Sequence, residues 1–323
     1  MPSPSSSLAT QRPDLQTFFQ YDFMESSQYF ISQRVFPVLP VPQQAGNFGV
    51  IPVEQLLQAA ETRRAPGAGY SRRQFDFSPA SYATAEHGTE EPVDDREARM
   101  YANYFDAEVL AASRARYTIQ VEAEQRVADK LNDTTVYTGA LAQAVQNGAW
   151  SVVTSTPITD VELAVQKMWT NCGLWANCLI MNRHTFRNLR NVTQIIDRIA
   201  ASGAGDRVRA EDITVSMLSA VFDLPFVLVA GGTKNTATPN ASAVFAEVWP
   251  NNATVCRIAT TQDIREPCVG RSFHWSADGS QIDGTTETYR EEGIRSNVVR
   301  VRHETDEKRL YNEAAILIPS VTA

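Results

Sequence analysis

The amino-acid sequence predicts an α+β fold with one unusually long helix, and three observations support this class. The segment from Asp94 to Asp133 contains no glycine or proline and places apolar residues at helical spacing. Residues 150–268 alternate helical patterns with short apolar runs, and residues 270–323 are rich in strand patterns. Partial segregation of helices and strands along the chain is typical of α+β proteins.

The long helix is predicted to begin at Asp94, which follows Pro92 and forms an Asp-x-x-Glu start signal with Glu97. Such a helix would be about 55 Å long, more than a compact domain of this size needs. In the tail, the predicted strands Ile294–His303 and Arg309–Ile318 flank a charged turn. Because this sheet has no other layer to cover it, we expect it to pack against the long helix.

Residues 1–45 do not have the pattern of a domain. Their aromatic and apolar stretch is interrupted by Pro37, Pro40 and Pro42, which favour an extended conformation. An extended apolar segment cannot bury its own side chains. We therefore expect these residues to form an arm that neighbouring subunits hold.

Residues 46–93 are predicted to form a long two-armed loop, the ribbon, whose turn is the sequence RAPGAGY at Arg64–Tyr70. Phe75 and Phe77 alternate with polar residues in the returning arm, as they would in a strand. An isolated two-stranded ribbon is only marginally stable in water. This ribbon is therefore expected either to fold back on its own domain or to lie on a neighbour.

The α/β region contains several local signals. A capping box at Thr159–Glu162 predicts the start of an amphipathic helix that ends near Gly173. The apolar run Cys178–Met181 predicts a buried strand, and Asn182 is placed to cap the helix that follows. Farther along, two strands are predicted to pair as a hairpin through Pro250–Ala253.

Composition limits the possible functions. Hydrophobic residues make up 43% of the 323 residues, enough for a folded core, and the net charge of −8 argues against binding nucleic acid by neutralising phosphates. An acidic container that encloses nucleic acid stays compatible with this charge. The 29 basic residues include only four lysines, which fits arginine ion pairs at interfaces or a genomic composition bias. The cysteine spacing and the lack of a signal sequence or long apolar run predict a cytosolic protein with reduced thiols and no membrane partner.

The sequence carries no recognisable active site. The four histidines are scattered, and the Gly-Gly-Thr-Lys sequence at Gly231–Lys234 lacks the phosphate-loop spacing. The acidic cluster Glu90–Asp95 is interpreted as compensation of a helix dipole rather than as a metal site, and the five tryptophans as core residues. We therefore predict no catalytic residues, no cofactor, no metal and no enzymatic activity.

Three short sequences stand in a specific order along the chain: RAPG (Arg64–Gly67), EEPVDD (Glu90–Asp95) and LIMNRHTFRNLR (Leu179–Arg190). With an arm before them, a long helix between them and a β-rich tail after them, the chain from about residue 20 onwards resembles the major capsid protein of tailed bacteriophages. That family has the Hong Kong 97-type fold.

The resemblance implies a division of the chain into the parts of that fold. The expected parts are an N-terminal arm (1–45), an extended β-ribbon loop (46–93), a peripheral domain with the spine helix (94–149), an α/β axial domain (150–268) and a return to the β-sheet of the peripheral domain (269–323).

The resemblance also implies a function and partners. The chain would self-assemble as hexamers and pentamers into the icosahedral head of a tailed phage, in the host cytoplasm, and would become part of the virion capsid. Expected partners are a separate scaffolding protein, a portal, an optional decoration protein and packaged double-stranded DNA bound without sequence specificity.

Contacts between subunits are expected at the arm, the ribbon and the acidic segment before the long helix. The residues proposed for these contacts are Phe30, Phe36, Arg64, Pro66, Gly67, Arg72, Arg73, Phe75, Phe77, Glu90 and Glu91. Some members of the family join a lysine of the extended loop covalently to an asparagine of a neighbour. The first lysine of this chain is Lys130, so we expect non-covalent contacts only.

Two other functions stay open. One is the shell of an encapsulin-like nanocompartment, which has the same fold and encloses cargo enzymes. The long arm and ribbon, and an N-terminus without a clear amphipathic helix, favour the phage protein over it. The other is a cytosolic α/β enzyme with a β-rich accessory domain, which would be marked by a pocket with convergent polar groups.

Overall fold

The computed structural model describes residues 10–12, 30–59, 62–72, 76–104, 106–201, 209–238 and 241–322. In these ranges the α-helices are α1 (Ser32–Val35), α2 (Val53–Leu57), α3 (Asp95–Tyr101), α4 (Ala107–Leu131), α5 (Pro157–Cys172), α6 (Arg183–Leu189), α7 (Thr193–Ala201) and α8 (Val215–Phe222). The strands are β1 (Thr10–Gln11), β2 (Val38–Val41), β3 (Ala45–Val50), β4 (Ser78–Ala83), β5 (Ala85–Asp94), β6 (Cys178–Asn182), β7 (Phe226–Ala230), β8 (Thr233–Asn235), β9 (Phe245–Glu247), β10 (Ala253–Cys256), β11 (Gly270–Trp275), β12 (Thr285–Glu291), β13 (Ser296–Arg309) and β14 (Ala315–Ile318).

The predicted long helix is divided into two. Asp94 caps α3 by accepting a hydrogen bond from the Arg96 amide at 2.7 Å, as its start signal predicted. A second helix, α4, then begins after Asp106, whose carboxylate accepts from the Glu108 amide at 2.9 Å. The prediction of one helix was wrong because Asp106 caps a new start, a role that aspartate prefers over a helix interior. The 25 residues of α4 make it about 38 Å long.

The long helix α4 packs on a six-stranded sheet in the order β1-β12-β13-β11-β2, with β5 also paired to β13. The strand β13 is continuous through residues 304–308, where a charged turn was predicted. That prediction was wrong because Thr305 and Glu307 point into the interface with α4, where Arg126 binds both. Hydrogen bonds and ion pairs with α4 therefore allow the charged residues 304–308 to remain part of the strand β13.

The four-stranded sheet has the order β14-β10-β6-β7, and the helices α5, α6, α7 and α8 contribute to its apolar core. Two expectations fail here. The strand β10 pairs with β6 and β14 rather than forming a hairpin with β9, which pairs with β8. The last strand, β14, joins this sheet and not the one on the long helix. All four of its residues are buried, and a fully apolar strand is stable only where both faces are covered.

Local signals in this region mostly hold. The strand β6 is buried along its whole length, and Asn182 accepts a hydrogen bond from the Thr185 amide at 2.8 Å at the start of α6. Gly173 ends α5 in the left-handed conformation, with φ of 69°. The capping box predicted at Thr159–Glu162 was wrong. The helix α5 begins two residues before Thr159, with Pro157 in its first turn. Proline is tolerated there because an amide at this position would have no hydrogen-bond partner within the helix.

Candidate assembly interface

Of the predicted ribbon, residues 46–93, the described part consists of the antiparallel pair β3–β4, the short helix α2 and a tip of residues 62–72. Its last residues, from Ala85 onward, belong to β5 of the six-stranded sheet. At the tip, the Ala68 amide donates to the Ala65 carbonyl at 3.1 Å across Pro66 and Gly67. Gly67 has φ of +83°, which a type II turn requires at this position and which glycine adopts without strain. The Pro-Gly dipeptide thus accounts for the turn predicted at RAPGAGY.

The tip is held by contacts within itself. The guanidinium of Arg64 donates through Nε to the Ala68 carbonyl at 2.6 Å and lies 4.8 Å from the centroid of the Tyr70 ring. Every described residue from 62 to 72, including Arg72, is exposed, and the Tyr70 side chain is 75% accessible. The tip therefore presents arginine, proline and tyrosine side chains to solvent in a defined conformation.

The base of the ribbon is attached to the body. The Tyr82 ring stacks on Phe273 of the six-stranded sheet at 4.8 Å between centroids, and Phe48 contacts the same ring at 5.2 Å. Phe77, just before β4, is 63% exposed. The predicted contact residues Arg73 and Phe75 lie outside the described residues. The ribbon is thus anchored at one end and unburied at the other.

Glu90 and Glu91 are engaged inside the subunit. Glu90 forms an ion pair with Arg300 at 2.6 Å and accepts from the Tyr289 hydroxyl at 3.1 Å. Glu91 forms an ion pair with Arg114 of the long helix α4. Both carboxylates belong to β5, and their ion pairs connect this strand to β13 and to α4. A contact with a neighbouring subunit, as predicted for Glu90 and Glu91, would have to compete with these ion pairs for the same carboxylates.

Two described stretches of the arm, residues 10–11 and 30–41, pack on their own chain, and the first of them pairs with β12 as the strand β1. The side chain of Phe36 is fully buried and contacts Gly270 so closely that a Cβ there would lie 2.5 Å from the phenyl ring. The prediction that Phe36 contacts a neighbour was therefore wrong, since the subunit has its own apolar cluster to cover this ring. Phe30 is half-buried against Tyr117, at 5.8 Å between ring centroids.

Glu124 of α4 anchors the arm, and sequence reasoning missed it. Its buried carboxylate accepts from the Ile31 amide at 3.0 Å, the Ser32 amide at 2.8 Å and Nε1 of Trp249 at 2.6 Å. Burial raises the pKa of this carboxyl above its usual range, and the three donors only partly oppose that effect. Its burial could have been predicted from the sequence, because Glu124 stands three residues before Val127 and therefore on the apolar face of the helix.

Among the described residues, no group of three or more His, Cys, Asp or Glu side chains is arranged to hold a metal ion. In the same part of the chain, no helix has the length and apolarity needed to cross a membrane.

Comparison with known proteins gives matches in structure only. No family model matches the chain, and no curated protein matches it in sequence. A phage-related protein from Bordetella bronchiseptica has a TM-score of 0.68 at 20% identity, with 96% of this chain and 97% of that one covered. The mature capsid of bacteriophage PhiM1 gives 0.56 at 11% identity, covering 93% and 88%. The SrpI encapsulin complex from Synechococcus elongatus gives 0.53 at 12%, covering 94% and 91%.

The chain has the Hong Kong 97-type capsid fold. The resemblance to tailed-phage major capsid proteins that the three motifs indicated is therefore confirmed at the level of the fold. Shell proteins of both phage and encapsulin type share this architecture with the chain.

This capsid-fold subunit exposes further apolar side chains that sequence reasoning assigned to the core or overlooked. Trp169 and Trp175 stack on each other at 5.8 Å between ring centroids and are 49% and 57% exposed. On α3 and the turn after it, Met100 is 57% and Tyr104 is 83% exposed. Exposed apolar side chains of this size are candidates for contact with another protein.

Proposed function

We propose that this protein is the major capsid protein of a tailed double-stranded DNA phage. It assembles through non-covalent contacts into hexamers and pentamers of an icosahedral head. The exposed ribbon tip carries this proposal. A two-stranded element anchored at Tyr82 and unburied at residues 62–72 gains its stability from a surface outside the subunit.

The parts of the fold take these roles in the proposal. Residues 46–93 are the extended loop, residues 94–149 and most of the tail are the peripheral domain, and residues 150–268 are the axial domain. The strand β14 pairs with the axial sheet, so the return through the peripheral domain ends with β13 at Arg309. The first lysine is Lys130, which leaves the ribbon without an amine for a covalent link.

Partners follow from the same proposal. A separate scaffolding protein would guide closure, a portal would occupy one vertex, and a decoration protein would be an optional addition on the outer surface. The head would enclose DNA without sequence readout, and the net charge of −8 fits a wall that does not retain the packaged DNA by phosphate contacts. The location in this proposal is the virion capsid, assembled in the host cytoplasm.

Electron microscopy of the protein, expressed alone or together with a scaffolding protein, tests the proposal directly. We expect closed shells or capsomers, and full dissociation to single chains in hot denaturant because no covalent link joins the subunits. Protein that stays monomeric under every assembly condition contradicts the proposal. A ladder of covalent multimers contradicts its non-covalent part.

The role of the ribbon tip is tested by replacing Arg63–Tyr70 with a Gly-Ser linker of equal length. Because these residues bury nothing in their own subunit, we expect a circular dichroism melting curve close to that of the parent protein and a severe loss of closed shells. The matched control is Val244→Ser, another exposed site far from the ribbon in sequence. If the linker variant still forms normal shells, the ribbon tip is not required for the contacts between subunits.

A second candidate is an encapsulin-like nanocompartment, favoured by the structural match to the SrpI encapsulin complex. The two candidates differ in what the particle encloses. Particles isolated from their natural source should contain double-stranded DNA in the phage case and a cargo enzyme in the other. The ratio of absorbance at 260 and 280 nm, with mass spectrometry of co-purifying proteins, separates them. An α/β enzyme finds no support among these fold neighbours.

A further inference from the structure

A polar cavity of about 570 Å³ lies beside α6, far from the ribbon and the arm in sequence. His184, Arg187 and Asn188 line it from α6, where their spacing of three and four residues places them on one face. Arg209 lines it from the segment before a short 3-10 helix at Ala210–Asp212. Two separate stretches of chain therefore meet around one concave space.

The cavity is cationic in an acidic protein. Among the described residues, three arginines line it together with one acidic residue, Glu211, which forms an ion pair with Arg209 at 3.4 Å. Among the described residues, no carboxylate forms an ion pair with Arg187 or Arg190. The described lining residues therefore carry a net surplus of two positive charges, in a chain whose net charge is −8.

Arg190 is held in place before any ligand binds. Its Nε donates to the Ala210 carbonyl, and its guanidinium lies 5.5 Å from the centroid of the Phe186 ring. A guanidinium fixed in this way loses little conformational entropy when its other N–H groups bind an anion. Asn188 and Asn191 add side-chain amide groups on the wall of the same cavity.

A simpler explanation covers only part of this arrangement. Basic residues near the last turn of a helix compensate its dipole, and Arg187 and Arg190 stand at the end of α6. Dipole compensation does not require a concave space, an arginine from a second segment or neutral amides beside the cations. These features together are those of a site that accepts oxyanions.

We propose that this cavity binds a phosphate-bearing small molecule. Phosphate oxygens accept paired N–H groups from arginine, and asparagine amides donate to the remaining oxygens. The volume lies in the range of small-molecule sites and exceeds what a single phosphate fills, so a pyrophosphate or nucleotide phosphate chain fits the chemistry. A duplex is disfavoured because the surrounding protein is acidic and repels its backbone.

Isothermal titration calorimetry of the purified protein with sodium pyrophosphate, inorganic phosphate and ATP at low salt tests the site. We expect saturable binding with pyrophosphate stronger than phosphate, and a loss of about tenfold or more in affinity for Arg187→Gln, since a charge-assisted hydrogen bond is lost. The matched control is Arg99→Gln, an exposed arginine on α3, which should bind as the parent does. Equal affinities for ATP and pyrophosphate assign recognition to the phosphate chain, and tighter ATP binding assigns it to a nucleotide.

Three results would overturn the proposal. One is the absence of saturable binding to all three probes, and another is an equal affinity of Arg187→Gln and Arg99→Gln. The third is displacement of pyrophosphate by short duplex DNA at lower concentration, which would make the surface a DNA contact. Arg187 is exposed, so its substitution should leave the melting temperature unchanged. The titration uses binding to the subunit and the assembly assay uses particles, so the site and the capsid function can fail separately.

Discussion

The two large sheets of the subunit are covered by helices in different ways. In the four-stranded sheet, every residue of β6, β10 and β14 is buried, and large apolar clusters lie on the sheet. Under the long helix α4, the apolar clusters of the six-stranded sheet are small, one of them formed by Ala115, Ile119 and Val301. Buried polar side chains fill much of the remaining interface there.

The polar interface is centred on Arg126 of α4. Its guanidinium forms two hydrogen bonds with Glu307, at 2.8 and 3.1 Å, and a third with the Thr305 hydroxyl at 3.2 Å. Burial raises the pKa of Glu307, but these hydrogen bonds outweigh burial and leave it below its ordinary value. The four-stranded sheet is therefore stabilised mainly by burial of apolar surface. The interface between α4 and the six-stranded sheet relies more on buried ion pairs, whose contribution depends on both partners being present and charged.

The largest effect is expected from a cavity in the apolar sheet. Leu179 in β6 is fully buried, and Leu179→Ala should lower the free energy of unfolding by about 4 kcal/mol, measured by urea denaturation. Val244→Ala, at a 56% exposed position, should change it by less than about 0.5 kcal/mol. Equal losses in both variants would show that burial does not govern this half of the molecule.

Breaking the charged pair should have the next largest effect. Arg126→Met leaves the Glu307 carboxylate buried without its partner, and we expect a loss of about 3 kcal/mol in the same assay. Replacing both partners, as Arg126→Met with Glu307→Met, should restore at least half of the loss because the buried carboxylate is removed together with its guanidinium partner. If the double variant is as unstable as the single one, packing rather than charge matching holds α4 on the sheet.

Stability of the polar interface should fall in mild acid because of His303. Burial, the largest cause, acts with the nearby Arg126 and His87 against the raising effect of the Ile282 carbonyl and Glu307, and the net result lowers the pKa of this imidazole from its ordinary 6.5 to about 4. The unfolded chain thus binds the proton more readily. The contribution of His303 is complete above pH 6.5 and is lost as the pH falls towards 4, by up to about 3 kcal/mol.

The measurement is the free energy of unfolding between pH 4 and pH 7.5 for the parent and for His303→Gln, which cannot titrate. The difference between the two proteins should shrink with decreasing pH. Glu124 has the opposite sign, because its raised pKa makes the folded state bind the proton more readily. Its contribution is present in both proteins and cancels from the difference, so a constant difference would exclude His303 as the source.

Features that depend on residues close together in sequence were predicted correctly, whereas features that depend on distant partners were missed. The Asn182 cap, the end of α5 at Gly173 and the Pro-Gly turn at the ribbon tip are set by neighbours within four residues, so their residue types carried the signal. The continuity of β13 and the buried carboxylate of Glu124 depend on partners that are more than 90 residues away. A charged residue looks exposed in sequence until its distant partner is known, which is why these features were missed.

The break in the long helix is a different case, because its cause was local. Asp106 caps α4 through the Glu108 and Val109 amides, yet its neighbours have helix-forming composition that concealed the new start. For the described part of the arm, sequence reasoning overlooked that an extended segment can pack on other elements of its own chain. The strand β2, which contains Pro40, pairs with β11 at the edge of the six-stranded sheet, where a missing amide donor is tolerated.

The smallest effect on the free energy of unfolding is expected at the ribbon tip, which belongs to neither sheet. Gly67→Ala forces a side chain into a left-handed conformation, at a cost of about 1 kcal/mol or less because the tip buries nothing. Gly69→Ala is the matched control in the same tip, since its φ is not positive and a Cβ there meets no atom within 4 Å. If the tip clasps a neighbour, Gly67→Ala should reduce the yield of closed shells more than its small cost in subunit stability implies, and Gly69→Ala should not. An equal yield from both variants would mean that the turn geometry does not matter for assembly.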